Sequence, residues 1–172
     1  MIRWIPFMLV SCGWLVLVVK NWRAHNWRRV LWWLGCWGLS ALTWTPVAFS
    51  FGSASIGKIT TSQWGGGVWV LIPLEPASID TSFWLNVVMT FPQGVLLKWN
   101  WPHLRWSQVV GAGLLTGLTL EGGQAVGNAF VALGRWVDIN DVLTNWTGVV
   151  LGACACALVA RYSHWQLTSP KR

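Results

Sequence analysis

The stretch DVLTNWTGVVLGACACALVAR, Asp141 to Arg161, decides the fold: 19 uncharged residues separate its two charged ends. A chain needs about 17–25 mostly apolar residues to cross roughly 30 Å of hydrocarbon. The same pattern recurs along the chain. There are 16 uncharged residues between Arg3 and Lys20, 28 between Arg29 and Lys58, and 17 between Asp80 and Lys98. From Trp106 to Gly134 the only charge is Glu121. The whole chain agrees: 172 residues, 54% apolar, 10% charged, with 17 tryptophans. An ordinary soluble domain is about a quarter charged. A soluble enzyme, a secreted disulfide scaffold and a disordered protein are therefore excluded. The expected fold is all-α, a polytopic membrane helix bundle of about five transmembrane helices. The spans fall near residues 4–20, 31–51, 82–99, 107–126 and 142–160.

The net charge of +7 does not make a nucleic-acid face, because it is segregated by loop. Lys20, Arg23, Arg28, Arg29, Lys98, Arg105, Arg161, Lys171 and Arg172 share one side. Arg3, Lys58 and Arg135 share the other with Glu75, Asp80, Asp138 and Asp141. Lys and Arg near span ends stay cytoplasmic, so the N-terminus is expected outside and the C-terminus inside. Five spans fit this alternation; four or six break it. The first span reads as a plain membrane helix, since only eight residues precede the Leu9–Cys12 stretch that resembles a lipoprotein box. Tryptophans at span ends, among them Trp4, Trp22, Trp27, Trp99 and Trp101, suit interfacial belts. The apolar patch Val68–Leu74 is too short to cross and is expected in the outer interface, anchored by Trp64 and Trp69. The cysteines read as small apolar filler, since Cys154 and Cys156 point about 200° apart on a helix. No metal site and no cofactor are expected.

Polar residues concentrate in two places. Span three holds Asn86, Pro92, Gln93 and Gly94; the proline is expected to kink it. Span four places Gly113, Gly117 and Glu121 at four-residue steps, with Gln124 three further on. Span five places Asp141, Asn145, Gly148 and Gly152 on one face. The two glycine faces are expected to meet, as in small-xxx-small packing, across a loop of about fifteen residues carrying Arg135 and Asp138. That sets Glu121 beside Asp141 and Asn145. An isolated acid at membrane depth costs at least about 2.5–3.5 kcal/mol, so Glu121 must be paired, neutralised or wet. Two readings stay open. Arg135 pairs with Glu121 or Asp138 as a structural clamp, or the cluster is a binding or reaction site.

These residues resemble those of VanZ-like membrane proteins. The resemblance rests on Glu121-Gly-Gly-Gln124, on Gly134-Arg135 followed by Asp138, Asp141, Asn145 and Gly148, and on Asn86 followed by Phe91-Pro92-Gln-Gly94. Thr45-Pro46 is similar to the ending of that family's first helix. Gln93 departs from the pattern, where an apolar residue is usual, and the first span looks like an addition to a four-span core. The domain division expected is residues 1–30 for the added helix and its basic loop, 31–162 for the VanZ-like core and 163–172 for a cytoplasmic tail. The resemblance implies a bacterial inner-membrane protein; the family is named for low-level resistance to teicoplanin, a lipid-tailed glycopeptide.

Three functions are weighed. The first binds an amphiphile in the outer leaflet, either a lipid-linked glycan intermediate or a lipoglycopeptide. Here Arg135 pairs with an anion, Glu121, Asp138 and Asp141 place a cation or amine, and Asn86 and Asn145 donate hydrogen bonds. The second is a membrane enzyme with Glu121 or Asp141 as general base and a divalent ion. The third is an assembly subunit, partnered by its own copies or an envelope complex, whose cluster is only structural.

Overall fold

The computed structural model describes residues 2–46, 61–64, 67–74, 76, 79 and 81–162. Five helices fall at the five apolar stretches: α1 (Ile5–Arg23), α2 (Trp27–Trp44), α3 (Thr81–Asn100), α4 (Trp106–Val131) and α5 (Ile139–Tyr162). A 3-10 turn, Ile2–Trp4, leads into α1. Two of the helical stretches, Ile2–Arg23 and Ile139–Tyr162, are long and apolar enough to cross a membrane by length and composition. The expected end of the second span, Lys58, Glu75, Asp80 and the tail from residue 163 lie outside the described residues.

Local chemistry sets the helix ends. Asn26 caps α2, accepting a hydrogen bond from the Arg29 N–H at 3.3 Å. Thr45 is extended, with φ −80° and ψ 142°, because the residue before a proline is pushed out of the helical region. α4 stops where Ala132 turns left-handed, its N–H returning to Asn128 O and the next N–H, of Leu133, to Gly127 O. Asp138 starts α5: its Oδ1 accepts the Asn140 N–H at 2.7 Å.

The chain is not purely helical. β1 (Ser62–Trp64), β2 (Gly67–Val70) and β3 (Trp136–Asp138) form a small sheet in the order β1-β2-β3. β1 and β2 are antiparallel, with Gln63 opposite Val68. β2 and β3 are parallel, with Trp69 opposite Val137. This corrects two expectations. The 4–5 connection is seven residues, 132 to 138, and almost half of it is strand. The Val68–Leu74 patch is divided: Val70 is fully buried in the sheet, whereas Leu71, Ile72 and Leu74 are exposed. Trp69 Nε1 donates to Trp64 O at 2.9 Å. A seven-residue patch has no periodicity that tells a strand from a surface segment, and its partner β3 is far away in sequence.

α5 is the central helix, and its packing corrects the expected meeting of glycine faces. α4 presents Gly113 and Gly117 to Trp146, Val149 and Val142 of α5: a Cβ at Gly117 would lie 2.6 Å from Val142 O, and one at Gly113 2.8 Å from Trp146 Cδ1. The α5 glycines face α3 instead. A Cβ at Gly148 would strike Thr90 and Val87 O, one at Gly152 would strike Phe91 O, and one at Gly94 of α3 would strike the Val149 backbone. A helix with two neighbours needs two contact faces. Residues 142, 146 and 149 make one and residues 141, 145, 148 and 152 make the other. α3 is continuous through Pro92, which lies on its exposed side.

α1 packs differently. It buries no residue and is tied to α2 by two reciprocal bonds. Trp14 Nε1 donates to Ser40 Oγ (2.8 Å) and Trp37 Nε1 to Ser11 Oγ (3.0 Å). Gln93, the unusual polar residue of α3, is 4% exposed and donates from Nε2 to Cys36 Sγ of α2 at 3.1 Å.

Candidate functional site

The site is built where α4, β3 and the start of α5 meet the end of α2. Glu121 is 4% exposed. It lies level with the last turn of α2, since a Cβ on neighbouring Gly123 would touch Trp44 and Thr43 at 3.1 and 3.3 Å. Its Oε2 accepts the backbone N–H of Asp138 at 3.0 Å. Gln124 Nε2 reaches Oε1 at 3.5 Å, the limit of a hydrogen bond. Asp141, Asp138 and Arg135 are all within electrostatic reach of the Glu121 carboxylate. α4 runs ten residues beyond Glu121, roughly 15 Å at 1.5 Å per residue. The chain then turns back so that β3 returns to the level of the acid.

Asn128 controls that return. Its Nδ2 donates to Arg135 O at 2.6 Å and its Oδ1 accepts Arg135 N–H at 2.9 Å, as a neighbouring strand would. Asn128 is 3% exposed, and a Cβ on Gly67 of β2 would strike its amide. Sequence reasoning missed this residue. Its spacing was a usable signal, because 121, 124 and 128 follow the i, i+3, i+7 rule for one helix face.

The clamp as expected from sequence is not what forms. Arg135 Nη2 donates to Leu42 O (2.9 Å) and Thr45 O (3.1 Å), the carbonyls left unpaired where α2 ends. A cation there also suits the negative end of the helix dipole. Arg135 therefore ties the 4–5 connection to α2, not to a carboxylate. Its Nε is buried and, among the described residues, has no hydrogen-bond partner. Burial pushes the guanidinium below its ordinary pKa, and the nearby Glu121 opposes that shift.

Asp138 is engaged as a helix cap: its Oδ1 also accepts Asn140 Nδ2 at 2.9 Å. Asn140, 1% exposed and not foreseen, accepts the Leu74 N–H at 2.6 Å and so pins the segment after β2. On the other flank Asn86 of α3 donates to Asp141 Oδ1 at 2.5 Å. Thr90, fully buried, donates to Asn145 O at 3.0 Å. The Asn145 side chain is 2% exposed, and its Oδ1 has no partner among the described residues. Of the expected residues, Glu121, Gln124, Arg135, Asp138 and Asp141 are thus brought to one locality. Asn86 joins through Asp141, and Asn145 lies one turn further along α5. Among the described residues no group of three or more His, Cys, Asp or Glu is placed to hold a metal.

An apolar groove adjoins this network. Ile5 and Leu9 of α1, Trp44 of α2, and Val126, Gly127 and Phe130 of α4 line a cavity of about 290 Å³. Trp44 and Gly127 are the chain neighbours of Thr45 and Asn128, the residues that hold Arg135.

A buried carboxylate, an arginine ordered by backbone carbonyls and two buried polar atoms without a partner among the described residues make up a polar cluster at one end of the helical bundle. The VanZ/LLP1 family model matches residues 30–160, and this chain belongs to that family. The match begins after α1 and covers both flanks of the pocket. No curated protein and no solved structure matches the chain.

Proposed function

We propose that this protein is a multi-pass component of the bacterial inner membrane that binds an anionic amphiphile from the outer leaflet. All five helices would cross, with the N-terminus outside and the C-terminus in the cytoplasm. The segregated cations support that orientation. Candidate ligands are a lipid-linked glycan of the envelope or a lipoglycopeptide of the teicoplanin type suggested by the family name.

One observation carries the reading. Arg135 Nε is a buried donor with no acceptor among the described residues, and a polar group left so costs about 1–3 kcal/mol. A phosphate or carboxylate oxygen would satisfy it with a charge-assisted bond. The neighbouring groove supplies an apolar trough for the tail. Asn145 Oδ1, also unpaired, would accept from a hydroxyl or amine of the headgroup. Burial of Glu121 beside Asp141 favours a ligand that brings a cationic or hydrogen-donating group.

The test is mass spectrometry of lipids retained by the native protein and by Arg135→Ala and Glu121→Gln variants that still elute as folded species. The expected outcome is an anionic amphiphile held by the native chain and lost from both variants. Identical lipid profiles would leave the bonds from Arg135 to Leu42 and Thr45 as the whole role of that arginine, a structural strut.

A further inference from the structure

We infer a second site at the opposite end of the bundle: Arg28 and Arg29, laid on the indoles of Trp99 and Trp101, bind the phosphodiester of an anionic phospholipid. This inference rests on the membrane-spanning reading proposed above, but not on the ligand site around Glu121.

Arg28 Cζ lies 5.3 Å from the Trp99 ring centroid and Arg29 Cζ 4.2 Å from that of Trp101. Lys98, one residue before Trp99, sits 5.2 Å over Trp106. The two strands of this end are fixed to each other, since Asn100 Nδ2 donates to Arg28 O at 3.1 Å. Lys98 Nζ donates to Leu104 O at 2.8 Å, and Trp32 meets Trp101 edge-on at 5.0 Å. Each guanidinium thus lies over an indole within cation–π distance, and five N–H donors per arginine are available to an anion. Among the described residues no hydrogen bond or ion pair engages either guanidinium.

The surroundings strengthen the case. Seven described cations belong to this end: Lys20, Arg23, Arg28, Arg29, Lys98, Arg105 and Arg161. The described acids, Glu121, Asp138 and Asp141, are all at the other end. The first turns of α2 and α4, which also point here, contain no acidic residue, so two positive helix ends add to the uncompensated charge. Trp22 and Trp27, 57% and 50% exposed, flank the arginines with the amphipathic rings that favour the headgroup layer. Charge complementarity, with exposed apolar helix directly beneath, selects a lipid over a soluble polyanion.

The full chain would be placed in nanodiscs of phosphatidylcholine mixed in equal parts with phosphatidylglycerol, and the lipids retained on gentle extraction weighed by native mass spectrometry. Native protein is expected to retain phosphatidylglycerol over phosphatidylcholine. Arg28→Gln is expected to lower that preference about fivefold, the equivalent of roughly 1 kcal/mol per cation near a membrane surface. Arg28→Gln with Arg29→Gln is expected to lower it about twenty-five-fold. Arg161→Gln, which removes a cation without an indole beneath it, is expected to change the preference less than about twofold. Equal losses from position 161 and position 28 would overturn the site in favour of diffuse surface charge. Displacement of the lipid by inorganic phosphate or by single-stranded oligonucleotide would overturn the choice of ligand. If the double variant does not fold, Arg29→Lys decides: it keeps the charge and loses the planar stack, and an unchanged preference refutes the site.

Discussion

The seam between α3 and α5 and the seam between α1 and α2 are made in opposite ways. In the first, glycines bring backbone against backbone, and Gly94, Gly148 and Gly152 leave no room for a single added carbon. The second is side chain against side chain: two Trp–Ser bonds and a stacked Trp14–Trp33 pair 5.6 Å apart. Close backbone approach cannot be repaired by a rotamer change, whereas an indole can swing. The polar cluster depends on the first seam, because Asn86 and Thr90 of α3 reach Asp141 and Asn145 across it. α1 contributes one wall of the apolar groove and nothing to the polar network.

That contrast can be broken at its strong side first. Gly152→Leu drives a side chain into Phe91 O and is expected to cost about 3 kcal/mol. Thermal unfolding in detergent should show it as loss of the cooperative transition. Arg135→Ala comes next, at about 2 kcal/mol, since it strips Leu42 O and Thr45 O of their donor; proteolysis should open first between α2 and β1. Glu121 separates charge from hydrogen bonding. Glu121→Leu leaves the Asp138 N–H unpaired and should cost about 1–3 kcal/mol. Glu121→Gln keeps an acceptor and should stay within about 1 kcal/mol of native. A urea titration of both variants checks this, and equal losses would mean that the carboxylate charge itself holds β3. The weak seam gives the smallest effect. Ser11→Ala with Ser40→Ala removes both Trp bonds and should cost about 1 kcal/mol in all. The measurable sign is faster cleavage within residues 24–26, with α2 to α5 unaffected.

The helices were readable in the sequence because uncharged length and loop charge are local properties. The placement of Asp141 at the start of α5 and of Glu121 within α4 followed from the same counting. The partners of the glycines were not readable. Spacing places Gly148 and Gly152 on one face but cannot say which neighbour that face meets, and α5 has two. The hydrogen-bond partners of Arg135 were not readable for a related reason. Charge invites pairing with charge, yet the groups that needed a donor were the last carbonyls of α2, about ninety residues earlier. Asn128 and Asn140 went unnoticed because a lone asparagine carries little sequence signal until the backbone it bonds is known.

Sequence alone therefore determined that this chain is a set of apolar rods with its acids assigned to one end and nine of its twelve cations to the other. Those features depend on how each short segment partitions between water and hydrocarbon. Tertiary structure decided which backbone groups the buried polar side chains satisfy, where β3 returns to Glu121, and which donor and acceptor remain unfilled. Hydrogen bonds act over about 3 Å between residues far apart in the chain, and only the assembled fold fixes such distances.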